Sequence, residues 1–434
     1  MPGRTPVNGL RRTRRVAVIA LGAAGALLMS RTATLAPRDE PELVVERGRG
    51  PVPASYMGLH IHRAGSGTAW PAVPFAGWRL WDAYASWPWL EPSRGAWHWE
   101  VVDRLVELAG KHHVEVLLPL GLSPTWASAR PAERSAYGRP GFAAEPADLD
   151  DWRHYVETVA SRYARRVRLY EIWNEPNLTS FYSGDVAAML QLCREAYAII
   201  KRIDPAARVV SPAATTTAGV AWLDRFLAAG GANCFDVVGF HLYVLPDAPE
   251  AIVPLVAKVQ DVMRAHGIGD RPLWNTETGW HVARARPVPG DKEHPGALSE
   301  TDAAATVARA LLLARTAGIE RFYWYSWDSE DAGFTDREGH ARAPARALAE
   351  VQRWLVGADL QGCRRALSGV WTCGLSREGR AQWIVWNPGG HTELPNPPRW
   401  RIARRRDLDG TAWPVRPGSG TIEIGPAPQL LDTR

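Results

Sequence analysis

The sequence predicts an α/β protein, a (β/α)8 TIM barrel followed by a small C-terminal β-sandwich-like domain. Its 434 residues are enough for a barrel of about 250–300 residues and a smaller unit beside it. From about residue 51 to residue 330, short β-rich apolar runs alternate with longer amphipathic stretches, which is the pattern of parallel βα units. Beyond residue 356 the pattern changes to short alternating runs separated by Gly, Pro and Asp-Gly turns, which indicates a β domain.

Eight apolar runs predict the barrel strands, and the amphipathic stretches between them predict helices. The predicted strands are 57–62, 77–82, 114–121, 167–174, 208–213, 236–244, 272–277 and 321–327. Helices are expected, among others, at 99–113, 148–166, 301–318 and 341–356. Sites in such barrels lie at the C-terminal ends of the strands. Two long loops at that end, 127–147 and 281–300, are expected to form walls around a cleft.

The first 36 residues have the features of an export segment. Basic residues precede an apolar run from Val16 to Met29, which is short for a membrane-spanning helix. Cleavage after Ala36 is disfavoured because Pro37 lacks an N–H and restricts the preceding residue. A cleaved signal peptide and a retained membrane anchor both stay open. The sequence therefore predicts an exported protein, periplasmic with or without an inner-membrane anchor, or secreted.

The chain is predicted to divide into four segments. Residues 1–36 are the signal peptide or anchor, and 37–50 form a linker that could contribute a strand to the β domain. Residues 51–345 form the barrel and 346–434 the C-terminal β domain. The first segment holds six arginines and no acidic residue, so without it the formal net charge of +5 becomes −1. A nearly neutral body gives no electrostatic reason to expect nucleic-acid binding.

Cysteine spacing and short motifs exclude several function classes. The four cysteines have no metal-ligand spacing such as CxxC. Cys363 and Cys373 could bridge a hairpin, and four buried thiols are the alternative. Neither HExxH, a P-loop nor a dinucleotide fingerprint occurs, which counts against metalloproteases, NTPases and dehydrogenases. No metal or organic cofactor is expected.

Two glutamates end predicted strands on the same face of the barrel. Glu175, in YEIWNEPN, ends the fourth strand, and Glu277, in PLWNTETGW, ends the seventh. Cleavage of a glycosidic bond needs one protonated carboxyl group for the leaving oxygen and a second, ionised carboxylate. The pair has the residue types and the positions for that chemistry. Structural carboxylates in buried ion pairs are the alternative, and for Glu171 pairing with an arginine is the favoured interpretation.

Other polar and aromatic residues lie beside these strand ends. Asn174 could hydrogen-bond a sugar 2-hydroxyl. A cation and a phenol near one carboxylate would keep it ionised, and burial would raise the pKa of the other. The further candidates are Arg79, His241, Tyr243 and His60, with Trp126, Trp280 and Trp327 as faces on which a sugar could stack. His60, like His62, could equally be a core residue, and a satisfied core pair is the alternative for His241 and Tyr243.

These motifs resemble those of the retaining glycoside hydrolases of clan A. The pattern is WNEP at the end of the fourth strand, HxY at the end of the sixth and a glutamate at the end of the seventh. EIWNEPN and WNTETGW are similar to the acid/base and nucleophile segments of glycoside hydrolase family 39 and its exopolysaccharide-associated relatives. PTWAS and GWRLWD match the same pattern. The resemblance covers roughly residues 51–345, and a small C-terminal β domain is also expected from it.

The resemblance implies a double-displacement mechanism and a role for each residue. Glu175 would be the acid/base, Glu277 the nucleophile and Asn174 the partner of the 2-hydroxyl group. Arg79, His241 and Tyr243 would support the nucleophile. The partner would be a poly- or oligosaccharide substrate.

The substrate class stays open between several family activities. They include β-xylosidases, α-L-iduronidases and enzymes that degrade bacterial exopolysaccharides. The N-terminal segment, the compact length and the Arg/Ala-rich composition favour an enzyme that cuts within an exopolysaccharide. An exo-acting β-xylosidase-like enzyme is the first alternative. A non-catalytic carbohydrate-binding barrel is the second, and the intact pair of glutamates counts against it.

Overall fold

The computed structural model describes residues 43–45, 50–283, 294–329, 332–336, 338–396, 398–416 and 420–433. The predicted export segment, residues 1–36, lies outside these ranges, as do residues 284–293, half of the second predicted long loop. Among the described residues no helix has both the length and the apolar character needed to cross a membrane.

Eight parallel strands form the predicted barrel. After a first strand β1 (Leu43–Val45), the barrel strands are β2 (Met57–Leu59), β3 (Gly77–Arg79), β4 (Glu115–Leu120), β5 (Leu169–Ile172), β6 (Arg208–Val210) with its continuation β7 (Ala214–Thr215), β8 (Val238–His241), β9 (Leu273–Thr278) and β10 (Ile319–Trp324). Their order around the sheet is β6-β5-β4-β3-β2-β10-β9-β8-β7. A parallel bridge between Val210 and Val237 joins the two ends. The predicted barrel and each of its eight strands are confirmed.

The helices form the outer layer because each has one apolar face. They are α1 (Trp87–Leu90), α2 (Glu100–Lys111), α3 (Leu149–Tyr163), α4 (Val186–Ile203), α5 (Thr216–Ala228), α6 (Ile252–Ala265), α7 (Glu300–Thr316) and α8 (Ala343–Leu355). Helix α3 illustrates the local signals: the Asp148 side chain accepts from the Asp150 N–H at its N-terminus, and Arg162 lies in its last turn. Helix α7 differs, since nearly all its described side chains are buried.

The interior of the barrel is closed by large side chains from several strands. A separate buried cluster inside the sheet consists of Leu117, Leu169, Val210, Val237, Trp274 and Tyr323. The Tyr323 ring fits there because β2 and β3 each place a glycine against it. A Cβ atom would lie 2.4 Å from that ring at Gly58 and 2.8 Å from it at Gly77. These glycines are thus required by close packing.

A C-terminal β region follows α8, which runs across the predicted boundary between residues 345 and 346. It contains β11 (Asp359–Arg365), β12 (Trp371–Arg377), β13 (Arg380–Trp386), β14 (Thr392–Pro395), β15 (Ile402–Arg406), β16 (Ala412–Pro414), β17 (Thr421–Ile424) and β18 (Gln429–Thr433). A seven-stranded sheet has the order β1-β11-β12-β13-β18-β15-β16, and β14 pairs with β17.

Two disulfide bonds lie in the described part of the chain. Cys363 and Cys373 are directly opposite each other on β11 and β12 and are bonded. The second bond joins Cys193 of α4 to Cys234. All four cysteines are therefore disulfide-bonded in the structure.

Candidate active site

Glu175 is placed by an unusual backbone conformation beyond β5. Trp173 and Glu175 have φ values of 58° and 45°, in the left-handed region that bulky residues rarely adopt. The conformation is held on both sides, since Trp173 N–H donates to the Leu120 carbonyl and Glu175 N–H to the Ala213 carbonyl. Such strain is typical of functional positions. It turns the Glu175 carboxyl group into the mouth of the barrel rather than along the strand.

Glu277 is placed by an irregularity in β9. Phe240 of β8 pairs with Asn275 of β9, and the next residue, His241, pairs with Glu277. One residue on β8 therefore corresponds to two residues on β9. The register against β10 shifts in the same part of β9. One extra residue in a strand bends it and re-aims the following side chain. The bulge therefore directs Glu277 toward Glu175.

The two glutamates lie close together and are almost completely buried. Each is 7% exposed. One oxygen from each carboxyl group and one ring nitrogen of His241 all lie within 4.8 Å of one another. Such a group could in principle hold a metal ion, but Arg79 already supplies a positive charge to Glu277 at 2.7 Å. The residues therefore match a carboxylate pair better than a metal centre.

Arg79 connects the buried acidic groups. It is fully buried on β3. Its Nε donates to Glu171 at 2.5 Å, one terminal nitrogen donates to Glu277 at 2.7 Å and the other donates to Asn174 at 2.8 Å. The predicted pairing of Glu171 with an arginine is confirmed. Because the guanidinium is always charged, it neutralises part of the negative charge in the site.

The other contacts differ between the two glutamates. The Tyr243 hydroxyl donates to Glu277 Oε1 at 3.0 Å. His241 was expected to support Glu277, yet its Nδ1 lies 2.9 Å from Glu175 Oε1. The strand register places His241 beside Glu277, and one of its ring nitrogens lies within 4.8 Å of an oxygen of each glutamate. The imidazole is therefore close to both carboxyl groups, and its hydrogen bond is to Glu175.

Burial controls the titration of the site. It raises the pKa of Glu175 and the pKa of Glu277 to about 7 each. It lowers the pKa of His241 to about 4, so this imidazole is neutral at pH 7. Burial also raises the pKa of the Tyr243 hydroxyl well above 10, so it stays a hydrogen-bond donor. Two adjacent carboxyl groups that both bind protons near neutrality share one proton over a wide pH range.

A cavity of about 480 Å³ opens above the two glutamates. Its described lining comprises Trp81, Asp82, Ala136, Tyr137, Asn174, Glu175, Leu178, Phe181, Thr215, Thr216, Tyr243, Glu277 and Tyr325. Ala136 and Tyr137 come from the first predicted long loop. The Tyr325 hydroxyl donates to Asp82 at 2.8 Å, which joins two walls of the cavity. Its combination of aromatic rings with carboxyl, amide and hydroxyl groups suits a sugar ring.

Six predicted site residues lie outside this lining. Arg79 and His241 nevertheless contact the two glutamates, and the other four have different surroundings. Trp280 and Trp327 are 4% and 3% exposed and pack in the core. Trp126 donates its indole N–H to the Glu91 carbonyl and lies under the Arg94 guanidinium. His60 is fully buried, and its Nε2 lies 3.0 Å from the Thr276 carbonyl oxygen.

Tyr243 was predicted from the sequence, but other aromatic residues that line the cavity were missed. Trp81, Tyr137 and Tyr325 line it, and the rings of Trp81 and Tyr137 are 5.8 Å apart. Trp81 belongs to the same GWRLWD run as Arg79, and Tyr325 directly follows β10. Because both residues stand at the ends of barrel strands, where the sites of such barrels lie, the sequence could have indicated them. Tyr137 lies within a long loop, where no periodic pattern indicates which side chain turns inward.

The chain is similar to known glycosyl hydrolases. Residues 147–342, which include both glutamates, match the family described as "Glycosyl hydrolase catalytic core". A segment of 152 residues is 27% identical to a β-xylosidase of Caldicellulosiruptor saccharolyticus and covers 33% of this chain and 30% of that protein. The match thus spans less than a third of the length of this curated relative.

Solved structures share the fold. A family 39 glycoside hydrolase from Bacteroides cellulosilyticus superposes with a TM-score of 0.69 at 18% identity, covering 88% of this chain and 81% of that one. A family 39 β-xylosidase from Caulobacter crescentus gives 0.61 at 18% identity, covering 90% and 98%. At such identities the likeness shows the fold. Together with the family match, it confirms the resemblance predicted from the sequence and supports a glycosidase.

Proposed function

We propose that this protein is a retaining glycoside hydrolase that cleaves β-linked glycosidic bonds by double displacement. The observation that carries the proposal is the approach of the Glu175 and Glu277 oxygens to within 4.8 Å. Retaining enzymes hold their two carboxyl groups about 5–5.5 Å apart, whereas inverting enzymes need about 6.5–9.5 Å to admit a water molecule. The short separation favours direct attack by a carboxylate on the sugar.

The contacts of Glu277 support its proposed role as the nucleophile. Its two oxygens accept hydrogen bonds from the positively charged Arg79 and from Tyr243, and both bonds stabilise the ionised form. The groups that contact Glu175, which are His241 and Thr215, carry no charge at pH 7. When the pair holds a single proton, that proton therefore resides on Glu175. Glu175 is the acid and Glu277 the nucleophile.

In the first step Glu277 attacks the anomeric carbon and forms a glycosyl ester. The bond between the anomeric carbon and the leaving oxygen breaks, and that oxygen takes the proton of Glu175. Asn174 accepts from Arg79 through its Oδ1, which leaves its amide N–H groups to bind the sugar 2-hydroxyl. This contact strengthens as charge develops on the ring.

In the second step the same residues act in reverse. The negative charge of Glu277 is lost in the ester, and Glu175 is now ionised and can remove a proton from water. The water oxygen bonds to the anomeric carbon, and the ester bond breaks to release Glu277 as a carboxylate. Glu175 regains its proton, and the configuration of the anomeric carbon is that of the substrate.

The proposed substrate is a bacterial exopolysaccharide, cut within the chain by an exported enzyme. The export-like segment supports this substrate, as do two disulfide bonds, which are typical of oxidising compartments. A second candidate is exo action on β-xylosides, which the likeness to two β-xylosidases favours.

Product analysis tests the reaction and separates these candidates. The protein is incubated with β-linked polysaccharides, bacterial exopolysaccharides and an aryl β-xyloside, with Glu277→Gln as the control. A ladder of oligosaccharides absent from the variant supports an endo-acting enzyme. Release of monosaccharide alone supports the exo-acting candidate. Binding of a polymer by both proteins without cleavage would favour a carbohydrate-binding barrel instead.

Azide rescue tests the roles of the two glutamates on an activated dinitrophenyl β-glycoside. Glu277→Ala with azide should yield the α-glycosyl azide, because azide replaces the nucleophile and attacks once. Glu175→Ala with azide should yield the β-glycosyl azide, because azide replaces water in the second step. The reversed pair of products would exchange the two roles. An α-configured sugar released by the wild-type protein would refute retention.

A further inference from the structure

Two large aromatic side chains are exposed beyond the rim of the cavity. Tyr84, in the loop after β3, is 57% exposed, and Trp89 of α1 is 38% exposed. Their ring centroids are 5.1 Å apart at an angle of 82°. The Arg139 guanidinium lies 5.7 Å from the Trp89 ring centroid. Single exposed aromatic residues are common, but a contacting pair on the functional face of a barrel calls for an explanation.

The pair is continuous with the cavity wall. Asp82 lines the cavity and Tyr84 follows two residues later, a chain distance of at most about 7 Å. On the other side, Tyr137 lines the cavity and Arg139 follows two residues later. The same two loops thus build the cavity wall and the surface around Trp89.

The backbone holds these side chains outward. Asp82 and Tyr84 have φ values of 57° and 58°, a left-handed conformation that is uncommon for such residues. Ala83 and Ala85, which alternate with them, are buried at 1% and 2% exposure. Ala83 and Ala85 therefore anchor this part of the loop, while Asp82 and Tyr84 are exposed.

We propose that Tyr84 and Trp89 form a second carbohydrate subsite, which holds a further sugar residue of a polymeric substrate. Flat aromatic rings provide apolar faces for the C–H groups of a pyranose. The contact with Arg139 restrains the Trp89 ring and lowers the entropy lost on binding. The subsite rests on the proposed glycosidase function and extends it, because a chain reaching from the cavity to this pair occupies more than one sugar position.

Comparison of a short and a long substrate tests the subsite. The double variant Tyr84→Ala, Trp89→Ala should lower kcat/KM on xylohexaose about tenfold, the value of an aromatic contact of this kind. It should leave kcat/KM on dinitrophenyl β-xyloside unchanged, because that substrate fills only the cavity. Trp413→Ala removes an equally exposed tryptophan from β16 and is the matched control. An equal loss on both substrates, or no loss on xylohexaose, would overturn the subsite.

Binding separates the subsite from the proposed reaction. Calorimetric titration of Glu277→Gln with xylohexaose should show about tenfold weaker binding when the Tyr84 and Trp89 substitutions are added. Unchanged affinity, or no binding before the substitutions are added, would refute the subsite. A wild-type protein that binds xylohexaose through the pair but cleaves none of the panel would keep the subsite and refute the proposed function.

Discussion

Substitution of Glu175 by glutamine should change how stability depends on pH. Burial raises the pKa of the two active-site glutamates from 4.5 to about 7. Arg79 compensates one negative charge of the pair. In the folded protein the pair therefore takes up one proton as the pH falls from about 7 toward 4.5. In the unfolded chain the same carboxyl groups stay largely ionised over this range. Glu175→Gln removes the group that holds this proton and keeps the shape of the side chain.

The magnitude follows from linkage between proton binding and folding. A difference between pKa values of 4.5 and about 7 corresponds to about 3.4 kcal/mol for one proton. The folded state binds more protons than the unfolded state in this window, so stability is highest below pH 4.5 and falls as the pH rises to 7. The free energy of unfolding of the wild type relative to Glu175→Gln should therefore decrease by about 3 kcal/mol from pH 4.5 to pH 7.5.

Urea unfolding of both proteins at several pH values measures this difference. Buried histidines such as His60, whose pKa is lowered by burial, have the opposite effect on the pH dependence. They cancel in the comparison because both proteins contain them. Glu107→Gln, at an exposed position of α2, should follow the wild type at every pH. A wild-type curve parallel to that of Glu175→Gln would refute the shared buried proton.

Three further substitutions test separate contacts. Arg79→Met leaves buried carboxylates without their cation and should cost about 3–5 kcal/mol in urea unfolding. Tyr243→Phe removes a hydrogen bond to an ionised group worth about 1.5–3 kcal/mol. It should lower kcat/KM about 10- to 150-fold and move the acidic limb of the pH profile upward, since the pKa of Glu277 rises. Gly279→Ala places a Cβ atom 1.9 Å from the Tyr325 carbonyl oxygen and should cost about 1–3 kcal/mol with loss of activity.

Each of these has a matched control in the same chain. Arg202→Met breaks an exposed ion pair and should cost at most about 1 kcal/mol. Tyr197→Phe removes a hydroxyl contact with Asp236 far from the site and should leave the pH profile in place. Gly110→Ala, in α2 with no atom near the added carbon, should stabilise by about 1 kcal/mol. If a control changes stability or activity as much as its test variant does, the role assigned to the contact in that test variant is wrong.

Much of the fold could be predicted from the sequence because local pattern and tertiary structure agree in it. Every barrel strand is a short apolar run between a helix and a loop, and eight such runs alternating with helices are the pattern of a (β/α)8 barrel. Strand lengths were overestimated, since predicted strands such as 57–62 include residues that continue beyond the sheet. The close packing of Tyr323 on Gly58 and Gly77 could not be foreseen, because it joins three strands distant in sequence.

The site could be predicted to the level of strand ends and no further. Glu175 and Glu277 follow from their positions in the chain and their neighbours. The partner of His241 does not, because it depends on the bulge in β9 and on the width of the barrel mouth. Likewise, the tryptophans predicted to bind sugar end strands at the correct face, yet Trp280 and Trp327 turn into the core. Alternation along a strand gives the face of a side chain only while the strand is regular.

Arg79 links the fold to the proposed chemistry. Burial raises the pKa of both glutamates to about 7 although Arg79 lowers each, whereas double displacement needs one charged and one protonated group. The guanidinium distinguishes the two carboxyl groups by its hydrogen bond to Glu277; it also donates to Asn174 and is itself fixed by Glu171. Glu171 is therefore a positioning residue, and its substitution by glutamine should raise the pKa of neither glutamate directly. It should instead remove the charged partner that fixes Arg79 and lower kcat more than it changes KM. Binding of xylohexaose to Tyr84 and Trp89 should be unchanged.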